Sequence, residues 1–310
     1  MTRWPMLLAL LAVALVAPTV VYPVLLMTVL SFIVFACSFN LLLGYAGLLC
    51  FGHAMFFGGA AYVTGWFLKT TGASIEIGIL VGGLSAAALG LLVGLVAVKR
   101  SGIQFAMITF AISQFVYFVL LQAPFTGGED GLQRIPRTAL LGVVDVSKSG
   151  SLYYVVLGFT VLAVLFFYRV VHSPFGEILK AIRDNEARVE SLGFRPERFK
   201  LIAFVISAGM AGVAGGLKAV AFQIATLTDV SWTVSGEVIL MTLLGGLGTL
   251  AGPMVGAVII IGLNDFLSQF GEWSLISQGV IMLVVIIFLR RGVVGEIDAF
   301  LRRKKVAPAR

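Results

Sequence analysis

Long apolar segments alternate with short polar ones along the whole chain. A helix needs about 20 mainly apolar residues to cross a bilayer, and runs such as 6–21, 24–43 and 281–289 have this character. The pattern predicts an all-α, polytopic integral membrane protein with about 8–10 transmembrane helices in a single domain, residues 1–310. The predicted spans are 6–21, 24–43, 53–68, 76–98, 103–121, 151–170, 201–222, 236–250, 253–270 and 276–290.

The composition agrees with a membrane protein. Mean hydropathy is +1.05 and only 12% of residues are charged, against about a quarter in soluble domains. The net charge of +7 could favour nucleic acid, but the basic residues are confined to short segments between apolar runs. We therefore expect membrane lipid and no nucleic acid as a partner. Cys37 and Cys50 lie in apolar segments, which favours small buried side chains over a disulfide or a metal site.

The distribution of basic residues predicts the topology, because cytoplasmic loops are enriched in Lys and Arg. With the ten spans above, 17 of the 22 basic residues fall on one side and 5 on the other. This places both termini and segment 172–200 in the cytoplasm, and loop 122–150 on the periplasmic side. A re-entrant hairpin at 44–52 or 236–250 would change this parity.

Segment 172–200 contains an amphipathic pattern typical of a helix. Ser173 is a good N-cap, Pro174 suits the first helical position and Gly193 is a suitable end. The apolar residues that share one predicted face are Phe175, Ile178, Ile182, Val189 and Leu192. Such a stripe must be covered by lipid headgroups, by the chain's own membrane domain or by a partner.

Glycine is abundant, with 36 residues, and most of it is explained by close packing of membrane helices. Two segments differ, because residues 43–48 and 244–249 share a Leu-Gly-x-x-Gly pattern between apolar runs. Helices interrupted in this way often expose backbone groups to a substrate. We therefore predict that the path includes Gly44, Gly47, Gly245 and Gly248.

Four ionisable residues lie within or beside the predicted spans. Because charge is costly in hydrocarbon, each is expected to have a structural or functional role. Lys218 and Asp265 lie near span ends, which predicts contact with the headgroups. Glu237 fits an interfacial or a path-lining carboxylate equally well. His53 fits either a packing role or a gate that contacts substrate.

The sequence contains no motif for ATP hydrolysis. No Gly-Lys dipeptide occurs, so the chain has no P-loop of the usual type for ATP hydrolysis. Zinc-ligand spacing and a catalytic triad are also missing. We expect neither an enzyme nor a cofactor site in this chain.

These residues resemble the LivM-type permeases of branched-chain amino acid ABC importers, over about residues 24–293. The motifs that carry the resemblance are 40–47 (NLLLGYAG), 51–54 (FGHA), 102–111 (GIQFAMITFA), 126–132 (TGGEDGL), 173–176 (SPFG), 181–186 (AIRDNE) and 235–249 (SGEVILMTLLGGLGT). Within them, Gln104 replaces an aromatic residue common in the family, which implies an altered path lining.

The resemblance implies a permease for leucine, isoleucine and valine in the bacterial cytoplasmic (inner) membrane. Its implied partners are a second homologous permease, two ATPase subunits that bind ATP and Mg²⁺, and a periplasmic substrate-binding protein. It also implies that the 173–193 helix couples to the ATPase by docking in a groove. The implied coupling residues are Phe175, Ile178, Ile182, Arg183, Glu186 and Gly193.

Two other functions remain open from the sequence. Related permeases share these motifs, so urea or short amides are an alternative cargo. A secondary transporter that acts alone would need a pair of carboxylates or histidines buried in mid-membrane, and the sequence reveals no clear pair.

Overall fold

The computed structural model describes residues 15, 17–19, 21–138, 149–269, 279, 280, 283 and 292–296, and helices dominate this part of the chain. The all-α prediction is confirmed. The helices are α1 (Pro23–Asn40), which continues as a π-helix (Leu41–Ala46), α2 (Ala54–Thr71), α3 (Ile75–Ala97), α4 (Gly102–Gln122), α5 (Ser149–Val171), α6 (Pro174–Asp184), α7 (Glu186–Ser191), α8 (Pro196–Phe222), α9 (Trp232–Gly245) and α10 (Gly252–Ser268). Strands β1 (Leu132–Gln133) and β2 (Ile224–Ala225) form one antiparallel pair.

Several helices have the length and composition of membrane spans. The segments that qualify are Pro23–Ala46, Ile75–Ala97, Gly102–Gln122, Gly150–Val171 and Pro196–Phe222. Each matches a predicted span within a few residues, so the chain is a multi-pass membrane protein. The shorter apolar helices α9 and α10 correspond to two further predicted spans. Predicted spans 6–21 and 276–290 lie almost wholly outside the described residues.

Glycines bring α3 and α8 into close antiparallel contact. A Cβ at Gly90 would lie 2.5 Å from the Cβ of Ala208, and one at Gly212 would lie 2.5 Å from the Cβ of Ala86. Neither distance is physically possible without movement of a helix. The predicted packing role is therefore confirmed for these two glycines, which replace side-chain volume with backbone proximity.

We expect Gly212→Val to destabilise the protein by about 1–3 kcal/mol, the usual cost of overpacking a close interface. Thermal unfolding in detergent measures this as a lower Tm. Gly59→Val is the matched control, because Gly59 is also helical and a Cβ there meets no atom within 4 Å. Equal Tm values for the two variants would contradict the role of this contact.

The two ends of the bundle differ in charge. One end, which we call the basic end, comprises residues 99–101, 172–200 and 246–251. The other, the loop end, comprises residues 72–74, 123–138 and 223–231, and is held by β1–β2 pairing and by a hydrogen bond from Thr138 to the Ala73 carbonyl. Described basic residues at or beside the basic end are Lys99, Arg100, Arg169, Lys180, Arg183, Arg188, Arg195, Arg198 and Lys200. The described part of the predicted charge division therefore agrees with the fold.

Helix α9 contains 14 residues, a rise of about 21 Å, and is preceded by a 3-10 turn at Leu227–Val230. Before this turn, Ile224 pairs with Gln133 at the loop end. After the helix, the Gly248 amide hydrogen-bonds to Asn40 at the basic end. The segment thus passes from one end to the other, as predicted for 236–250, and does not turn back as a hairpin.

The amphipathic segment is two helices, so the prediction of one helix is wrong. Its start is as predicted, because the Ser173 hydroxyl accepts a hydrogen bond from the Gly176 amide and Pro174 is the first residue. Asn185 then adopts an extended conformation, ends α6 and caps α7 by accepting from the Arg188 amide at 3.0 Å. Asn is among the best N-caps, and here that preference outweighs continuation of the helix.

Candidate functional site

The two glycine segments predicted to interrupt helices meet each other at the basic end. The Asn40 side chain joins them, because its Nδ2 donates to the Thr249 carbonyl at 2.9 Å and its Oδ1 accepts from the Gly248 amide at 3.1 Å. A Cβ at Gly44 would lie 2.6 Å from the Gly248 nitrogen. Gly47 and Gly248 both have positive φ, at 71° and 69°, which favours glycine. The predicted repeat therefore forms a real backbone contact.

Arg183 connects helix α6 to this contact. Its Nη1 donates to the Gly44 carbonyl, near the end of the π-helix. A Cβ at Gly47 would lie 3.0 Å from Arg183 Cγ, and one at Gly248 would lie 3.2 Å from Nη1. Lys180 lies one turn earlier, with its Nζ 5.7 Å from the centroid of the Tyr45 ring. The inner face of α6 thus presents two cations to the end of the π-helix.

An apolar groove of about 460 Å³ lies between the same two segments. Phe51, Leu243 and Leu247 are 37, 36 and 43% exposed, so the groove is open along one side of the chain. Residues 47–50 beside it are not helical, an arrangement tolerated at membrane depth where backbone lines a cavity. The groove is lined by Leu43, Leu49, Phe51, Gly236, Ile239, Leu240, Leu243 and Leu247.

The apolar stripe of the amphipathic segment packs on the chain's own membrane domain. Leu179, Ile182 and Val189 are buried, and Phe175 is half-buried, with its ring 6.0 Å from that of Phe199. The sequence left three possible covers for the stripe: lipid headgroups, the chain's own membrane domain or a partner. The chain's own domain covers most of it. Leu192, which directly follows α7, is the exception at 70% exposed.

Of the other predicted coupling residues, Ile178 is half-buried, and Glu186 forms an ion pair with Lys200 at 2.5 Å. Lys200 is itself buried, so this pair fixes α7 to α8. Gly193 has φ of 87° just after α7. Of the residues implied to dock on the ATPase, Phe175, Ile182 and Glu186 therefore contact the chain's own domain. Arg183 contacts both the Gly44 carbonyl and the exposed Asp184.

A charged cluster lies nearer the loop end. Lys218 forms an ion pair with buried Asp229, and its Nζ lies 5.6 and 5.7 Å from the ring centroids of Phe32 and Phe57. The predicted headgroup contact of Lys218 is therefore wrong, because the ammonium finds a carboxylate inside the bundle. Glu237 interacts electrostatically with both members of the pair. Asp265, by contrast, is exposed near the end of α10.

Comparison with known proteins assigns the family. Residues 5–289 match the family described as "Branched-chain amino acid transport system / permease component". The chain belongs to this permease family. The permease is 28% identical over 284 residues to the high-affinity branched-chain amino acid transport system permease protein LivM of Escherichia coli K12, covering 84% of this chain and 67% of the relative. No solved structure gives a significant match.

Two archaeal relatives extend the comparison. A probable branched-chain amino acid transport permease protein LivM of Methanocaldococcus jannaschii is 27% identical over 311 residues, covering 84% of this chain and 89% of the relative. The probable LivH permease of the same organism is 30% identical over 121 residues, covering 37% of this chain and 38% of the relative. These names describe transport permeases, so the prediction that the chain is not an enzyme is confirmed.

Two residues that the sequence placed on the path do not line the groove of this permease. His53 is fully buried, its Nε2 lies 2.9 Å from Ser38 Oγ, and its ring stacks on Phe35 with 5.3 Å between centroids. That environment fits the packing alternative. Gln104 is exposed in the first turn of α4.

Among the remaining predicted path residues, Gly44 and Gly248 form the backbone contact and Glu237 follows the lining residue Gly236. Gly47 instead lies against Arg183, and Gly245 against Gly252. Asn40 and Asp229 were missed as site residues. A polar side chain within an apolar span is a usable signal for Asn40, whereas Asp229 lies in a polar connection where the sequence offers no distinction. Cys37 and Cys50 are buried and free, as expected, and the described residues include no metal-binding group of His, Cys, Asp or Glu.

We expect Asn40→Ala to lower the stability of the permease, because it leaves the half-buried Gly248 amide and Thr249 carbonyl without this partner. The cost is at most about 1–3 kcal/mol for each group, the value for a fully buried one. Asn40→Asp keeps an acceptor for the Gly248 amide but places a buried carboxylate opposite the Thr249 carbonyl, so its Tm is also expected to fall. Tm values for both variants equal to that of the unchanged permease would contradict the bridging role.

Proposed function

We propose that this permease is the translocation subunit of an ATP-driven importer for leucine, isoleucine and valine. The apolar groove carries this proposal. Its lining is almost entirely aliphatic, which suits a branched hydrocarbon side chain and offers no hydrogen bond to urea or a short amide. The names of the LivM relatives support the same cargo.

The basic end is proposed to face the cytoplasm and the loop end the periplasm, with both termini inside. This assignment follows the enrichment of Lys and Arg in cytoplasmic segments. The likeness to LivH supports pairing with a second, homologous permease. Since the open side of the groove exposes apolar residues, we propose that the second permease completes the path there.

ATPase subunits and a periplasmic binding protein complete the proposed importer, with ATP and Mg²⁺ bound by the ATPases. The inward packing of α6 leaves α7 and the residues after it as the docking face. Arg188, Leu192 and Phe194 are all exposed there, which suits a partner that binds both charge and apolar surface. Movement of this face would reach the groove through Arg183 and the glycine contact.

Filling the groove tests the cargo path. We expect Gly236→Leu to reduce leucine uptake roughly tenfold to a hundredfold, since misplacement by about 1 Å has effects of this size. A Cβ at Gly236 meets no atom within 4 Å, so folding and assembly are expected to survive. Gly262→Leu is the matched control, because Gly262 is helical and has equally open surroundings. The assay is ATP-driven uptake in proteoliposomes, and uptake by Gly236→Leu equal to that of the control would contradict the path.

Removing the link between α6 and the glycine contact tests coupling. We expect Arg183→Ala to lower uptake roughly 5- to 150-fold, the range of typical coupling between sites, while ATP hydrolysis by the assembled transporter continues. Arg198→Ala is the control, because Arg198 is an exposed arginine at the same end. Parallel loss of hydrolysis and assembly in Arg183→Ala would point to a structural role instead.

The alternatives are separated by reconstitution with labelled leucine or urea, with the ATPases and binding protein added or withheld. Leucine uptake that requires ATP supports the proposal. Urea uptake in its place would favour the amide cargo. Accumulation by the permease alone, driven by an ion gradient, would identify a secondary transporter.

A further inference from the structure

The charged cluster near the loop end has a feature that structural pairing does not explain. Asp229 is fully engaged, by Lys218 on Oδ1 and by the Thr226 hydroxyl on Oδ2 at 3.1 Å. Glu237 interacts electrostatically with both ions, yet its carboxylate has no hydrogen bond or ion pair to any described residue. The cluster holds two carboxylates and one ammonium, so it can accept one more cation.

A second observation points to a missing ligand. The Tyr62 side chain is only 1% exposed, and its hydroxyl has no hydrogen-bond partner among the residues that the structure describes. This hydroxyl interacts electrostatically with Asp229. Buried hydroxyls are nearly always hydrogen-bonded, so a polar group beside Asp229 would satisfy it.

The surroundings of Lys218 indicate which chemical groups the cluster can bind. Its side chain ends in a primary ammonium, held by a carboxylate and placed near the faces of two phenyl rings. Cation–π contacts of this kind select organic cations. A free amino acid carries the same ammonium together with a carboxylate, which Lys218 could bind.

The position of Glu237 relates the cluster to the groove. Glu237 follows Gly236, which lines the groove, and consecutive helical residues are about 100° apart around the axis. Glu237 therefore lies on the helix face next to the one that lines the groove, at the level of the lining residue nearest the start of α9. A ligand with charged groups at Glu237 and an aliphatic side chain in the groove would match both surfaces.

We propose that Glu237, Lys218 and Asp229 form a zwitterion site, in which Glu237 binds the ammonium and Lys218 the carboxylate of an α-amino acid entering the groove. This inference rests on the proposed function and adds the residues that recognise the backbone of the cargo. Tyr62 supplies a further hydrogen bond when the site is filled.

The test is leucine uptake by the complete transporter in proteoliposomes, at saturating leucine-loaded binding protein. Glu237→Gln is expected to lower uptake roughly tenfold or more, as for loss of a charged hydrogen bond, while the transporter still assembles. Glu237→Asp keeps the charge and is expected to retain intermediate uptake. Asp265→Asn is the control, since it removes an exposed carboxylate from the loop-end part of α10.

A double variant without charge at residues 218 and 229 distinguishes a role in substrate recognition from a role in stability. Replacing Lys218 by Met together with Asp229 by Asn removes both charges, and a buried ion pair exchanged in this way is often stability-neutral. The zwitterion site predicts loss of uptake in this double variant with a normal Tm.

Uptake at the level of the unchanged permease in both Glu237→Gln and the double variant would overturn the site. It would leave the proposed function intact, because the unchanged permease still takes up leucine. If the unchanged permease takes up no leucine, the proposed function itself fails.

Discussion

Backbone meets backbone where Gly44 approaches Gly248, and no larger residue fits between them. This closeness lets one side chain, Asn40, bond both the amide of Gly248 and the carbonyl of Thr249. It also fixes the distance between the π-helix and α9, which form the walls of the groove. The Gly44 carbonyl remains available at this point, and Arg183 binds it. Groove width and the position of α6 therefore depend on the same contact.

The sequence predicts the spans well because hydrophobic length is a local property. Pro23–Ala46 and Pro196–Phe222 agree with predicted spans within a few residues for this reason. The glycine repeat is also visible in the sequence, since paired glycines between two apolar runs are typical of an interrupted helix. The sequence does not show which way a charged side chain of an amphipathic helix points. Arg183 has the sequence context of a surface arginine, and only the fold shows that its guanidinium binds the Gly44 carbonyl.

Two predictions, a single helix over 173–193 and headgroup contact by Lys218, are wrong for a similar reason: a polar side chain has a partner that the apolar pattern does not show. The helical period continues through residue 185, yet the Asn185 side chain caps a new helix and interrupts it. The apolar stripe requires a cover, and the membrane domain itself provides most of it. Lys218 follows the same rule, because a carboxylate inside the bundle replaces the expected headgroup. Hydrophobic periodicity does not mark such polar partners, so the apolar pattern alone does not reveal them.

Along the proposed path, polarity changes in an order that suits an amphipathic solute. Charges of both signs lie near the loop end, aliphatic side chains follow along α9, and a guanidinium beside a glycine contact lies at the basic end. An amino acid held only by charges would bind without selection for its side chain, and one held only by the groove would lose the hydration of its charged groups without replacement. The charged cluster and the apolar groove together would bind both the charged groups and the side chain of an amino acid. Because Arg183 binds the Gly44 carbonyl, next to the lining residue Leu43, the proposed ATPase partner could change access to the groove by moving α6 and α7, without touching the cargo.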